Sequence, residues 1–189
     1  MAETTRAKER RIAEGFYDKY INNKHGIDIG VGRLDTYDGA DPIAIENCVH
    51  HDKDMCDATT MEIFEDNSFD YVYASHILEH LYNPILAIQN WYRICKPGGA
   101  IIISIPERDL YERQTTLPSR WNADHKTMWL MDRYEEPDTL SFKGTVEKAL
   151  AEAGPFTAEF RTNDTCTNHD KPWEHPDGDM SLECIIHKL

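Results

Sequence analysis

No stretch of this chain is apolar for long enough to cross a bilayer, and no basic leader runs into a hydrophobic segment near its start. The expectation is a protein with no membrane partner, working in the cytoplasm. Cysteine is sparse and unpaired in pattern: Cys48, Cys56, Cys95, Cys166 and Cys184 form no Cys-x-x-Cys motif and no disulfide framework, which fits reduced thiols. Positive charge is short as well, with 20 Lys and Arg against 34 Asp and Glu and a formal net charge of −14. Such a surface repels nucleic-acid phosphates, so nucleic acid is disfavoured as a partner and a small-molecule substrate is expected. A cationic ligand is not repelled. Internal repeats, linkers and low-complexity tracts are missing too, and 189 residues are enough for one domain with a substantial core.

What is present is densest over residues 69–106. FDYVYA is a short apolar and aromatic run of the kind a strand covered on both faces requires. Asn83 and Pro84 signal a helix start, and Ile85, Leu86, Ile88, Trp91, Tyr92 and Ile94 recur at helical spacing. Trp91 and Tyr92 belong to a core on this pattern. Lys96-Pro97-Gly98-Gly99 stops the helix, and residues 100–105 supply a second apolar strand. Strand, crossover helix and strand predict a parallel pair with a right-handed connection.

Upstream, His25-Gly-Ile-Asp-Ile-Gly-Val-Gly-Arg33 is a short strand entering a Gly-x-Gly turn. Glycines at such a turn let the backbone approach a ligand closely. Dinucleotide sites want a third glycine and an apolar strand end, but Asp35 stands in the third place and Asp28 precedes the turn. An acidic strand end suits a ligand with positive charge, and S-adenosylmethionine, with its ammonium and sulfonium, is one.

Four segments in order, GIDIGVG, HHDKDMCDAT, EDNSFDYVYASHILEHL and LYNPILAIQNWYRICKPGGAIIISIP, resemble the class I S-adenosylmethionine-dependent methyltransferases, and within them the small methyltransferase type 11 branch. The resemblance covers residues 25–106. It implies a Rossmann-like α/β sheet, mostly parallel with an antiparallel last strand and helices on both faces. It further implies S-adenosylmethionine as cofactor and S-adenosylhomocysteine as product. Asp28, Gly30 and Gly32 match the turn under the methionine end, and Asp57 and Ala58 match the adenine position. Ser75 and His76 lie where the family closes over the middle of the cofactor. The ribose carboxylate is Asp52, about twenty residues past the turn, or Asp41 if the second strand comes earlier. Residues 33–49 hold no long amphipathic helix and 58–66 are short for a strand and helix, so the sheet is expected to be trimmed between its first and fourth strands. The organisation predicted is an N-terminal helix within 1–22, a cofactor-binding half at 25–106, a substrate loop at 107–133, and a C-terminal helix and strands at 138–189.

In the ends, residues 5–21 predict one helix with Ile12, Phe16 and Tyr20 on a stripe, packed against the sheet. Residues 138–153 predict another with Phe142, Val146 and Leu150 inward, and 155–161 and 180–187 predict the last strands. The polar stretch 163–179 between them is a hairpin loop or flap.

The substrate side falls to residues 107–133, where Arg120 and Trp121 suit an anionic group and a sugar ring. The plainer alternative is that Arg120 and Asp124 pair only with each other. A hydroxyl acceptor needs a base titrating near neutrality; His125, oriented by Asp124 or another carboxylate, is the first candidate and His76 the second. His76 and His80 flank Glu79 four apart, a metal-capable spacing, but no third ligand stands at a known offset, so no metal is predicted. Cys166, His169 and His175 are likewise not read as a zinc site. The function expected is methylation of a small polar acceptor at oxygen, such as a sugar or sugar-linked metabolite. A non-catalytic binding or regulatory protein is the second reading and a nicotinamide-dependent oxidoreductase the third.

Overall fold

A computed structural model describes residues 3–31 and 42–189, with side chains from residue 5 onward. Its centre is a six-stranded sheet: β1 Gly26–Ile29, β2 Cys48–His51, β3 Phe69–Ser75, β4 Cys95–Pro106, β7 Phe156–Asp164 and β8 Met180–Lys188. The spatial order is β2-β1-β3-β4-β8-β7; β8 runs antiparallel to both its neighbours, and the pairings among the first four strands are parallel. Strand order reverses between β1 and β3, which lie side by side although β2 intervenes in sequence. Open α/β sheets bind ligands beyond the carboxyl ends of strands at such a reversal.

Alternation along the strands builds two cores. Val72 and Ala74 of β3 join Ile101 and Ile103 of β4 beneath α3 (Pro84–Ile94) and α4 (Phe142–Leu150). Tyr71 and Tyr73 face the other way with Ile102 and Ile185, beneath α2 (Phe16–Tyr20). The start of α3 is as read: the Asn83 side chain accepts from the Leu86 amide and Pro84 opens the helix. Trp91 and Tyr92 are buried in the first core.

The expected trimming has a physical form. Residues 52–68 contain turns only, so β2 is the sheet edge. Side chains of α3 tie these turns down: Arg93 donates to the carbonyls of Phe64 and Met61 and to Asp66, and Trp91 Nε1 donates to the Ala58 carbonyl. Of residues 33–49, those described before β2 form neither helix nor strand.

Three expectations are corrected. The N-terminal helix is two, α1 (Glu3–Ala13) and α2, broken where Gly15 takes φ of 67°. Phe16 and Tyr20 are buried as expected, but the break turns Ile12 outward, 60% exposed. The second helix begins at Phe142 rather than Asp138, because Thr139–Ser141 forms strand β6, paired in parallel with β5 (Met128–Leu130). Ser141 then caps α4 by accepting from the Gly144 amide. Trp129, counted with the substrate loop, is instead a fully buried part of β5, packed edge-on to Phe142.

Candidate functional site

The carboxyl ends of β1, β2 and β3 open into a cavity of about 570 Å³, lined by residues that include Gly30, Asp52, Asp57, Ala58, His76, His80 and Asp124. Five of the eight positions expected around the cofactor, Gly30, Asp52, Asp57, Ala58 and His76, therefore meet at one place. Gly30 holds φ of 78°, and its amide donates to the His51 carbonyl at 2.9 Å, closing the turn against β2. A Cβ there would stand 2.9 Å from Ile77 Cδ1, so the bare backbone makes the space. Asp52 follows β2 directly on the cavity wall, and its carboxylate turns back to accept from the Lys53 amide at 2.7 Å. Asp57 and Ala58 line the same cavity, with Asp57 accepting from the Thr59 amide. Gly32 and Asp41 lie outside the described residues.

Asp28 behaves differently from the expectation attached to it. Its buried carboxylate accepts from the Ile43 amide at 2.9 Å and is not part of the described cavity wall. Ser75 ends β3 opposite Ser104 and is half-buried; it too lies off the wall. The residue after it, His76, turns the chain with φ of 53° and enters the cavity.

Beside the cavity the structure builds a cluster that spacing alone does not reveal. A single 3₁₀ turn, Leu78–His80, follows β3 and places Glu79 inside the protein. Around its Oε1 stand three imidazoles: His76 Nδ1 at 3.5 Å, His80 Nε2 at 4.0 Å and His125 Nε2 at 3.9 Å. His76 and His80 thus do not share a helical face, yet they share a carboxylate. Each of the other two rings is fixed from behind. His125 Nδ1 meets Glu112 Oε1 at 2.6 Å, and His80 Nδ1 meets Asp124 Oδ2 at 3.0 Å. Glu112 is itself buried and accepts from Ser119 Oγ at 2.5 Å.

Of the two orienters expected for His125, Asp124 or another carboxylate, the structure has the second: Glu112 orients His125, while Asp124 serves His80 and Lys126. Burial works against the charged form of His125, but the Glu112 hydrogen bond and the nearby Glu79 outweigh it and raise its pKa. Burial and the charge of His125 lower that of His80, with Asp124 opposing. His76 is also pushed down, by burial first and then by the cationic neighbours His125 and Arg6.

Arg120 and Asp124 do not pair. Arg120 donates to the Pro172 carbonyl and lies over the Trp121 ring, whose Nε1 donates to the Tyr111 carbonyl. Tyr111 stands 6.2 Å from His76 and 6.5 Å from His125, ring to ring, and His175 packs 5.2 Å from Trp121. The loop between β7 and β8 thus folds over the segment carrying these rings. Cys166 and His169 take separate partners, Arg113 and Asp164. Sequence reasoning missed Glu112 and the central place of Glu79.

A family profile described as a methyltransferase domain matches residues 14–103. Among curated proteins, phosphoethanolamine N-methyltransferase 2 of Caenorhabditis elegans is 32% identical over 94 residues, 47% of this chain and 20% of that protein. The chain therefore aligns with about a fifth of that relative's length. Solved structures share the fold. A SAM-dependent methyltransferase from Archaeoglobus fulgidus aligns over 95% of this chain and 93% of its own at TM-score 0.55 and 15% identity. The 1,6-didemethyltoxoflavin-N1-methyltransferase of Burkholderia thailandensis, holding S-adenosylhomocysteine, aligns over 98% and 80% at TM-score 0.54 and 16% identity.

Proposed function

We propose that this chain, which belongs to the class I S-adenosylmethionine-dependent methyltransferases, methylates a hydroxyl of a small polar acceptor such as a sugar or sugar-linked metabolite. The observation that carries the reading is the three-histidine cluster on Glu79 at the edge of the cofactor-sized cavity.

The cavity fits the cofactor by its own features. Gly30 leaves room where any side chain would strike Ile77, and Asp52 offers two acceptor oxygens to a vicinal diol at the end of β2. Bound there, S-adenosylmethionine supplies a methyl group on a sulfonium, a good leaving group. The rest falls to side chains of the chain. Asp57, Ala58, His76 and Ile77 line the same cavity, and the resemblance gives the first two to the adenine and His76 to the middle of the cofactor. The acceptor then enters the cavity on the His76 side, next to the packed rings of Tyr111, Trp121 and His175. A hydroxyl must lose its proton as it attacks carbon. Imidazoles locked by Glu112 and Asp124 are built to handle that proton without reorganising. The curated relative, by its name, methylates the nitrogen of phosphoethanolamine; an alkyl amine is protonated at neutral pH and also has a proton to lose before it attacks, so the identity of the product decides between oxygen and nitrogen.

Incubation with methyl-labelled cofactor and a metabolite extract, read by mass spectrometry, identifies the product. His125→Ala should bind S-adenosylhomocysteine within about twofold of the parent by calorimetry while turnover falls at least ~100-fold, the ordinary loss when proton handling is removed. Full turnover in that variant removes the cluster from the reaction. No affinity of the parent for S-adenosylhomocysteine overturns the methyltransferase reading itself.

A further inference from the structure

We infer that Glu79, His80 and His125 form a binding site for one divalent transition-metal ion, with His76 at its margin and its open side toward the cavity. The inference deepens the reading above and rests on it for its role in the reaction; the metal site itself stands on geometry alone.

Donor atoms of Glu79, His80 and His125 all lie within 4.8 Å of one another, and both imidazoles aim Nε2 at the same carboxylate oxygen, from 4.0 and 3.9 Å. Donors bound at about 2.1 Å stand about 3.4 Å apart around a tetrahedral ion and about 4.2 Å apart when opposite each other. An ion entering the cluster needs each donor to move inward by well under an ångström.

The surroundings of the rings argue in the same direction. A histidine that ligates a metal nearly always gives its other ring nitrogen to a carboxylate or carbonyl, which fixes the tautomer and raises ligand basicity. Here both do so, His125 through Glu112 at 2.6 Å and His80 through Asp124 at 3.0 Å. Two independent carboxylates thus orient two Nε2 atoms toward one point. His76, 3.5 Å from the same Glu79 oxygen, can add a third imidazole. A set of imidazoles and one carboxylate suits Mn²⁺, Fe²⁺, Co²⁺ or Zn²⁺; it has too few oxygens for Ca²⁺ and no thiolate to select a soft ion.

Access is one-sided. Glu79 and His125 are buried, whereas His80, His76 and Asp124 form cavity wall, so free coordination positions face the acceptor. A hydroxyl brought against a divalent charge loses its proton more readily, as water does at such ions. The balance is simple: the O–H proton leaves to solvent, the oxygen forms a bond to the methyl carbon, and the carbon–sulfur bond breaks with its electron pair going to sulfur. An acceptor with two adjacent oxygens, such as a vicinal diol, fits best, because it can fill two open positions at once. In this arrangement His125 is a ligand, and its loss abolishes turnover by emptying the site.

The competing arrangement is a metal-free cluster in which the imidazoles share protons with Glu79. Equilibrium dialysis of chelator-stripped protein against Mn²⁺, Co²⁺ and Zn²⁺ separates the two. One ion per chain is expected, with the visible Co²⁺ spectrum of a nitrogen and oxygen site. Glu79→Gln should weaken binding more than 10-fold. Because a buried substitution can unfold the chain, His80→Ala and the surface change Asp124→Asn provide the same test, and His169→Ala, whose ring pairs with Asp164 outside the cluster, should bind as the parent does. Failure of all three ions to reach stoichiometric binding, or equal affinity in His80→Ala and His169→Ala, overturns the inference. Methyl transfer that survives metal removal overturns it while leaving the function intact. Metal binding without affinity for S-adenosylhomocysteine does the reverse.

Discussion

Gly30 is the residue on which the cavity turns. Its φ of 78° lies where an L side chain costs about 1–2 kcal/mol, and a Cβ would meet Ile77 at 2.9 Å. Gly30→Ala should lower the unfolding free energy by about that amount, measured by urea titration. It should also weaken S-adenosylhomocysteine at least tenfold, because Ile77 can yield only into the cavity it lines. Wild-type affinity in a folded Gly30→Ala protein would show that this turn does not border the cofactor. Gly30 was marked by its Gly-x-Gly turn, and Asp52, Asp57 and His76 by the ordered motifs of the resemblance; the four line one cavity. Asp28 was legible as an acidic strand end but not as a buried carboxylate that accepts from the Ile43 amide, since that partner lies 15 residues away in a segment without periodicity. Glu112 had no signal at all. It reaches His125 across 13 residues of irregular chain, and no repeat encodes such an approach.

At the scale of elements, α1 is held to the sheet by charge rather than by an apolar stripe. Arg11, fully buried, donates to Glu183 of β8 at 2.9 Å and to Tyr73 of β3 at 2.8 Å. Arg10 adds Asp179 and Glu183, and Arg161 of β7 closes on Glu183 from the other side. Burial alone would raise the Glu183 pKa, but Arg11 and Arg10 reverse this and hold it below the usual carboxylate range. A depressed carboxylate contributes stability that is full above its unfolded pKa, about 4.3, and is lost as pH falls through the lower folded value. Glu183→Gln should therefore cost about 3–5 kcal/mol at pH 7, the loss seen when one partner of a buried pair is removed. The deficit should shrink as both proteins are taken below pH 4 in urea titrations. An equal deficit at pH 7 and pH 3 would place the effect in packing instead. None of this clamp was readable, because Arg10 and Arg11 look like the solvated face of a charged helix until β8 is placed beside them. The buried strands β3 and β4 were readable for the opposite reason: an unbroken apolar run has no other soluble fate. Strand β6 was not, since three residues acquire strand character only by pairing with β5.

Across the whole molecule, the floor and roof of the site come from separate stretches of the chain. Strand ends and turns within the first 81 residues, with Asp124, line the floor, while Tyr111, Trp121 and His175 pack on one another beside His76 as its roof. Arg120 and Tyr111 reach the β7–β8 loop once each, and Arg113 joins the roof's two layers more extensively. Arg113 donates five hydrogen bonds into the loop between β7 and β8, to the carbonyls of Asn168, Lys171 and Glu174, the Asn168 side chain and Cys166 Sγ. The loop's own contacts are short-range and exposed, such as Asn168 Nδ2 to the His175 carbonyl, and segments of that kind open at low free-energy cost. Arg113→Ala should leave the sheet untouched, so the unfolding midpoint falls little, by no more than about 1–3 kcal/mol in free energy for hydrogen bonds to a charged donor. Amide exchange over residues 166–175 should accelerate at least tenfold, because protection there depends on the guanidinium and not on the global fold. S-adenosylhomocysteine, held on the floor, should bind unchanged, whereas the acceptor's KM rises once His175 no longer presses on Trp121. Unaltered exchange in the loop would mean that the hairpin holds its shape alone. A KM that stays fixed while the loop loosens would move the acceptor off this roof and confine it to the face of His76 and His80.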